Sequence, residues 1–353
     1  MRLLKTLFLV QLVAASAVAA DSDLILEAVA LRPLPAAVTN NAVTSVIVAG
    51  HPYLVSFNGL AKGRAYSDTL SVTYVLDVER NEWTEAAPVP GGVGRLASAA
   101  VSVGELAYVF GGYSVAGDGT EVSTPWVHSF DPASGIFNEL TSMPVPVDDA
   151  VAVTYADRYI YLISGWHDLG NVNLVQRYDI QTDSWDQATP IPGKALFGHA
   201  GGIVGNQVVY CDGVAIRSHA DRARDYVASN ECFLGIIDTE DSRRIDWRSI
   251  AAHPGLPRYR MASAGIAELN SVLFIGGTDN PYNYNGIGYN SEPSEPTAGG
   301  LRFDLDSFEW HELKQSNPAT MDHRALAVLN GAWLTIGGML GGQIVTDKVI
   351  AYK

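Results

Sequence analysis

An apolar run that ends in Gly-Gly, or in a small polar residue followed by Gly, occurs six times along the 353-residue chain. The runs read "LVSFNGL", "YVFGGYS", "YLISGWH", "VVYCDGV", "LFIGGTD" and "LTIGGML". Their second turn residues are Gly59, Gly112, Gly165, Gly213, Gly277 and Gly338, spaced by 53, 53, 48, 64 and 61 residues. A period near 50 residues predicts one supersecondary unit per repeat, each stacked against its neighbours. The chain therefore divides into six units, each with a glycine turn.

A second landmark follows at a nearly fixed offset in five of the units. An aspartate ends an apolar strand and an aromatic residue comes six positions later, as in Asp77 and Trp83, Asp131 and Phe137, Asp179 and Trp185, Asp304 and Trp310. In the fourth unit, Trp247 lies nine positions after Asp238, which indicates a three-residue insertion. Aspartate beside Ser, Asn or Gly favours a tight turn between two strands. We expect the aromatic side chain to pack against the next unit.

These phased copies resemble the kelch-repeat family, and the resemblance extends over essentially the whole mature chain. It implies an all-β fold, a six-bladed kelch β-propeller. The alternative is an all-β sandwich with glycine-rich turns, but a sandwich gives no reason for a fixed period. The sixth unit stops at its third strand, "DKVIAYK", whereas the N-terminal "LILEAVALRPLP" resembles the fourth strands "WTEAAPVP" and "WDQATPIP". We predict that this N-terminal strand completes the last blade and leaves no open sheet edge.

Residues 1–20 have the pattern of a secretory signal peptide. Arg2 and Lys5 precede the apolar run "LFLVQLVAASAV", and small residues follow at Ala17 and Ala19. That run is too short to span a bilayer, and no later apolar stretch approaches about 18 residues. We therefore predict no membrane span, a periplasmic or secreted protein, and a single propeller domain over residues 21–353. Loss of Arg2 and Lys5 changes the formal charge from −15 to −17, which argues against a nucleic-acid partner.

The resemblance to kelch propellers places the segment before each innermost strand and the loop after each glycine turn on one face, around the central channel. We call this the channel face. Polar residues gather in these segments, for example in "VPVDDAVAV" with Asp148 and Asp149. We predict that substrate is bound by Arg95, Trp166, His167, Arg217, Arg258, Arg260 and Arg324. His199, His323 and Asp149 are the predicted acid–base residues.

The uncharged run "NPYNYNGIGYN", residues 280–290, falls in the fifth unit's channel-face loop. Asparagine supplies donors and acceptors, and tyrosine supplies a flat apolar face, so together they suit the hydroxyls and C–H faces of a sugar. We predict ligand contacts from Tyr282, Asn283 and Tyr284. The alternative is an irregular loop whose Asn and Gly residues serve only turns.

A closer likeness links "PGGVGRLASAAVSVGELAYVFGGYS" and "LTIGGMLGGQIVTDKVI" to the bacterial N-acetylneuraminate epimerases, or sialic acid mutarotases, a periplasmic six-bladed kelch family. The resemblance implies an isomerase that interconverts the anomers of an acidic sugar without a cofactor. The family's proposed catalytic glutamate falls at Val214, and its arginine at Arg217 or His219. The alternative class is a non-catalytic module that binds a glycan or a protein partner on the channel face.

Metal-ligating patterns are absent from the sequence: His167 and Asp168 are adjacent, and no HExxH or CxxC accompanies them. We predict no metal and no cofactor. Cys211 ends the second strand of the fourth unit and Cys232 starts its third, so antiparallel pairing brings the two together. Export to an oxidising compartment would let a disulfide persist. We predict this disulfide; the alternative is two buried free thiols.

Overall fold

The structure is a computed structural model that describes residues 25–26, 28–221, 224–315 and 319–352. Over these residues, six antiparallel sheets follow one another along the chain, which confirms the prediction of an all-β, six-bladed propeller. The predicted signal peptide, residues 1–20, lies outside the described residues. The six innermost strands surround a central channel of about 210 Å³.

The strands of each blade run outward from the channel. They are Ala42–Val48, His51–Leu60, Thr69–Asp77 and Glu82–Ala86 in blade 1; Ala99–Val103, Leu106–Phe110, Val127–Asp131 and Ile136–Leu140 in blade 2; Val151–Tyr155, Tyr159–Ile163, Val175–Asp179 and Ser184–Ala188 in blade 3; Ala200–Val204, Gln207–Cys211, Cys232–Ile237 and Ile245–Ile250 in blade 4; Ala262–Ile266, Ser271–Ile275, Gly300–Asp304 and Trp310–Gln315 in blade 5; and Ala327–Leu329, Ala332–Ile336, Val349–Tyr352 and Ala28–Ala30 in blade 6.

Short hairpins rise from the loops that follow four of the glycine turns. They pair Tyr113–Val115 with Glu121–Ser123, Trp166–His167 with Gly170–Asn171, Val214–Arg217 with Asp225–Ala228, and Met339–Leu340 with Ile344–Val345. Single 3₁₀ turns occur at Tyr66–Asp68, Ala267–Leu269 and Gly341–Gln343.

The glycine turns are required by backbone geometry. Gly112, for example, has a φ of +83°, and a Cβ there would lie only 2.7 Å from the carbonyl oxygen of Leu96. A side chain at this position is therefore strained and sterically excluded.

The N-terminal segment contacts two blades. Ala28–Ala30 pairs antiparallel with Val349–Tyr352 at the outer edge of blade 6. Ile25–Leu26 pairs in parallel with the outermost strand of blade 5, opposite Lys314 and Gln315. Ala28–Ala30 and Val349–Tyr352 thus share one sheet, so separating these two strands would break hydrogen bonds of the sixth blade.

The aspartate–aromatic pairs have the local role that the sequence predicts. The Asp131 carboxylate accepts a hydrogen bond from the backbone N–H of Ala133 at 2.9 Å, and Asp304 accepts one from Asp306 at 2.9 Å, so each closes its own turn. The expected partner of the aromatic residue was wrong. Trp185 of blade 3 donates its indole N–H to Thr141 O at 2.8 Å, which places the ring against the preceding blade rather than the next one.

The same arrangement recurs around the ring. The indole N–H groups of Trp83, Trp247 and Trp310 also donate to the chain leaving the preceding blade, at Arg32, Thr189 and Ala251. Each of these tryptophans packs against an apolar cluster shared by two blades. The outer aromatic residues therefore hold neighbouring blades together.

The predicted disulfide between Cys211 and Cys232 is confirmed. The two residues face each other across neighbouring strands of blade 4, and both are buried against apolar residues of blade 5. The bond closes a loop across a sequence separation of 21 residues. It therefore anchors the base of the channel-face hairpin Val214–Arg217 and Asp225–Ala228.

A buried ion pair lies beside this disulfide. His253 Nε2 donates to Asp212 Oδ2 at 2.7 Å, and His253 Nδ1 donates to the carbonyl oxygen of Pro254 at 2.7 Å. Because both partners are acceptors, the geometry favours a doubly protonated imidazole. Burial lowers the pKa of His253, but the hydrogen bond and charge of Asp212 outweigh it, and the net pKa is raised. Burial likewise raises the pKa of Asp212.

The raised pKa of His253 means that the folded protein binds the imidazole proton more tightly than the unfolded chain does. This contribution to stability is complete below the unfolded histidine pKa of about 6.5 and is lost as pH rises through the higher folded value. We expect the urea concentration at the unfolding midpoint to decrease when pH is raised from 6 to 9 in the natural protein. The decrease should be smaller in His253→Gln. Exposed His51→Gln is the matched control. An equal fall in all three proteins would contradict the prediction.

Candidate functional site

The segment that leads into each innermost strand contains a residue with a left-handed backbone. These six residues, which we call the central ring, are Asn40, Ala97, Asp149, Gly198, Arg260 and Asp322, with φ between 50° and 68°. The residue preceding each one pairs with the chain just beyond its own blade's glycine turn. Backbone hydrogen bonds join the ring from blade to blade, for example Asp149 N to Ala97 O at 3.0 Å and Arg260 N to Gly198 O at 2.9 Å. The fold thereby brings six side-chain positions together around the channel axis.

Four charged side chains form a network at this ring. Arg260 donates from Nη2 to Asp149 Oδ2 at 2.6 Å and from Nη1 to Asp322 Oδ1 at 3.0 Å. Arg324 lies with Nε 3.2 Å from Asp149 Oδ1 and Nη2 3.4 Å from Asp322 Oδ1. All four side chains are at most 3% exposed. Two positive and two negative charges therefore neutralise one another.

The network sets the protonation of Asp149. Burial alone would raise the pKa of this carboxyl group, but the positive charges of Arg260 and Arg324 outweigh burial, and the net pKa is lowered. The reciprocal effect of Asp149 raises the pKa of Arg260 well above its ordinary value, against the opposing effect of burial. Asp149 is thus held ionised.

A cavity of about 90 Å³ lies over this network on the channel face. Its lining residues come from blades 2 to 5: Tyr113, Glu121, Asp148, Asp149, Trp166, Phe197, Tyr226, Arg260, Asn283 and Tyr289. The aromatic side contains Trp166 packed on Phe197, with centroids 5.4 Å apart, and Tyr226 stacked on Tyr289 at 4.1 Å. The cavity combines flat apolar surfaces with carboxyl groups.

Two of these carboxyl groups have pKa values above their ordinary range. Burial raises the pKa of Asp148 well above its ordinary value, the neighbouring Asp149 charge raises it further, and a hydrogen bond from Ser123 Oγ at 2.7 Å offsets only part of this. Burial also raises the pKa of Glu121, with the Arg260 charge opposing it. Within the described part of the chain, the Glu121 carboxyl group has no hydrogen-bond partner, so it is available to a ligand.

The predicted site residues separate into distinct groups. Asp149, Trp166, Arg260 and Asn283 line the cavity. Arg324 lies beneath it in the charged network. Tyr282 is fully buried with the Arg260 guanidinium 5.2 Å from its ring, and Tyr284 packs against an apolar cluster that includes Tyr113. The run at residues 280–290 therefore serves both the core and the cavity.

His199 and His323 lie outside the cavity. Each directly follows a central ring residue and packs beneath its own blade's glycine turn: a Cβ at Gly213 would lie 2.7 Å from the Cβ of His199, and one at Gly338 would lie 2.6 Å from Cε1 of His323. Burial lowers the pKa of both imidazoles to about 4. Both rings are therefore neutral and inside the fold at physiological pH.

The other basic residues contact the protein's own backbone. Arg95 donates to Gly111 O at 3.1 Å, and Arg258 donates to Gly276 O at 3.3 Å, so each binds the carbonyl oxygen of its blade's glycine turn. His167 donates from Nδ1 to Pro146 O at 2.8 Å, and Arg217 is exposed at the edge of its hairpin.

Sequence reasoning assigned no role to several residues of the cavity. Glu121 lies on the hairpin after the blade 2 glycine turn, and the rule that places such loops on the channel face covers it. Tyr226 and Phe197 also fall in segments that this rule covers, and their rings pack against Tyr289 and Trp166 of the neighbouring blades. Val214, where the resemblance places a glutamate, is buried, and its backbone pairs with Phe197. Glu121 instead approaches from blade 2.

Two further features concern ligands and membranes. Among the described residues, no group of three or more His, Cys, Asp or Glu side chains is arranged to hold a metal ion. None of the helices in the described ranges is long and apolar enough to cross a membrane.

Comparison with known proteins agrees with this architecture. The family model of the Kelch motif matches residues 94–144. Kelch-like protein 36 of Bos taurus is 24% identical over 208 residues, which are 59% of this chain and 30% of that protein. Kelch-like protein 15 of Danio rerio is 27% identical over 116 residues, which are 33% of this chain and 19% of that protein. The chain thus spans less than a third of the length of these relatives.

A solved structure resembles the fold over almost its entire length. The structure of YjhT superposes with a TM-score of 0.70 at 15% sequence identity, covering 92% of this chain and 99% of that one. Together with the six phased blades and the motif match, this defines the chain as a kelch-repeat β-propeller.

Proposed function

We propose that this propeller binds a sugar in the channel-face cavity and catalyses the interconversion of its anomers. The main support for the proposal is that carboxyl groups around one cavity have pKa values shifted in opposite directions. Asp148 and Glu121 have raised pKa values, whereas Asp149 is held ionised. Environments that push neighbouring pKa values apart are typical of acid–base sites.

The chemistry requires one acid and one base. Protonation of the ring oxygen and removal of the anomeric hydroxyl proton break the bond between the anomeric carbon and the ring oxygen, which gives the open-chain carbonyl form. Rotation followed by the reverse proton transfers closes the ring with either anomeric configuration. We assign the acid to Asp148, whose pKa is raised well above its ordinary value, and the base to Glu121, whose carboxyl group accepts no hydrogen bond from the described residues.

The aromatic side of the cavity suits the apolar face of a pyranose ring. Trp166 and Tyr289 line it with flat surfaces, and Asn283 adds an amide donor and acceptor for hydroxyl groups. The resemblance to the N-acetylneuraminate epimerases supports the same reaction class. We also propose that the protein is exported, since the Cys211–Cys232 disulfide is compatible with an oxidising compartment.

NMR spectroscopy of freshly dissolved single anomers tests the proposal. We expect equilibration to proceed faster with the protein than in buffer alone for at least one sugar in a set of neutral and acidic monosaccharides. Equilibration at the buffer rate for every sugar would refute the isomerase.

A second candidate function is a binding module without catalysis. Apolar side chains are exposed on the channel-face hairpins, with Leu169 82% exposed, Ile344 60% and Val122 49%. Exposed apolar residues on one face favour a partner such as a protein or a longer glycan. This function would be supported if a glycan binds to the protein while its anomers equilibrate no faster than in buffer alone.

A further inference from the structure

We infer that the cavity selects sugars without a carboxylate. This inference rests on the proposed function and concerns the substrate class, which the resemblance to sialic acid mutarotases would make acidic. The evidence is the charge balance at the cavity, because the arginines at its base already form ion pairs with aspartates of the protein.

Both terminal nitrogens of the arginine that lines the cavity already donate to carboxylates of the protein. Arg260 directs Nη1 and Nη2 to Asp322 and Asp149, and its remaining Nε is buried. A bound carboxylate would need a bidentate guanidinium to replace its hydration. Such a carboxylate would first have to displace Asp149 or Asp322, leaving a buried charge unpaired.

Arg324 is engaged in the same way. Its Nη2 donates to Asn40 Oδ1 at 2.5 Å and its Nη1 donates to the carbonyl oxygen of His323 at 2.9 Å. The side chain is 3% exposed, so it offers no donor to the cavity.

Apart from the paired Arg260, the groups that line the cavity carry negative charge or none. Glu121, Asp148 and Asp149 line it, and the only lining cation among the described residues is the paired Arg260. A ligand carboxylate would meet these carboxyl groups at close range, and juxtaposed like charges disfavour binding. Hydroxyl groups have the opposite preference, because each donates a hydrogen bond to a carboxylate oxygen.

Among the described residues, Arg224 is a cation close to two aromatic residues that line the cavity. Arg224 stacks with its guanidinium 5.1 Å from the Trp166 ring and 5.7 Å from the Tyr226 ring, and donates to the carbonyl oxygen of Leu169. Its side chain is exposed, and salt screens exposed charges over about 8 to 10 Å. Arg224 therefore adds a stacking surface for a sugar rather than a carboxylate clamp.

Matched sugar pairs test the inference. Glucose and glucuronic acid differ only at C6, as do galactose and galacturonic acid, and N-acetylneuraminic acid completes the set. We expect calorimetric affinity and anomer equilibration to favour the neutral member of a pair by at least about tenfold, which corresponds to about 1.4 kcal/mol. Equal or tighter binding of the acidic members would overturn the inference while leaving the isomerase in place. Absence of binding by all five sugars would overturn both.

A charge variant locates the effect. Glu121→Gln removes one negative charge with little change in shape, so we expect it to narrow the affinity ratio between glucose and glucuronic acid several-fold. Only binding is measured for this variant, since Glu121 belongs to the proposed acid–base pair. Glu139→Gln, on an exposed face of the same blade, should leave the ratio unchanged. An unchanged ratio in Glu121→Gln would place the discrimination elsewhere and overturn the role of the cavity charges.

Discussion

Glu121→Gln and Asp148→Asn are each expected to slow protein-catalysed anomer equilibration by about 10²- to 10⁴-fold, the usual contribution of a positioned acid or base. Both substitutions keep the size of the side chain and remove its titratable proton. The measurement is the equilibration rate constant by NMR, at a sugar concentration high enough to saturate each variant.

The pH dependence supplies a second readout. The proposed acid, Asp148, has a pKa raised by burial and by the Asp149 charge, so it donates its proton only while pH stays below that value. We expect activity to decline as pH rises and Asp148→Asn to remove this decline. Glu139→Gln serves as the control and should keep the natural rate. Full activity in both cavity variants would contradict the assignment of the acid and the base.

Arg260→Met is expected to lower the free energy of unfolding by about 3 to 5 kcal/mol. The substitution leaves the buried Asp149 and Asp322 carboxylates with only Arg324 as a cation, and breaking a buried ion pair from one side has this cost. Urea unfolding measures the change. Exposed Arg217→Met is the matched control and should shift the free energy by no more than about 0.5 kcal/mol.

A double variant separates charge from packing. Arg260→Met combined with Asp322→Asn removes one charge of each sign, so the double variant should lose less stability than the sum of the two single variants. Additive losses, or a loss below about 1 kcal/mol for Arg260→Met alone, would show that the network does not stabilise the central ring.

The blade architecture follows from the sequence because the repeat imposes it. Glycine turns need residues that accept positive φ without a Cβ, and the turn aspartates need only local backbone partners, as Asp131 has in Ala133. Both constraints act within one unit, so spacing alone reveals them. The cysteine pair is predictable for the same reason, because Cys211 and Cys232 lie on neighbouring antiparallel strands.

The site is less accessible to sequence reasoning because its contacts join different blades. Arg260 is an arginine in a channel-face segment, which suggests a substrate-binding role. Its partners Asp149 and Asp322, however, lie 111 and 62 residues away in the sequence. His199 appears beside a channel-face residue in sequence, although the left-handed backbone at Gly198 turns the chain so that the imidazole packs under the glycine turn. The charge pairs and the side-chain directions at the central ring therefore could not be predicted without the tertiary structure.

The central ring also bears on how such a propeller can change its chemistry. Its six positions keep one backbone shape through main-chain hydrogen bonds while carrying asparagine, alanine, aspartate, glycine, arginine and aspartate. Substitution at one position can thus alter the chemistry beneath the cavity without moving the strands that follow. Gly198 is the exception, since a Cβ there would lie 2.0 Å from the Tyr259 ring. Position 198 is therefore closed to any side chain, whereas a change at Asp149, Arg260 or Asp322 needs a compensating change in its charge partner.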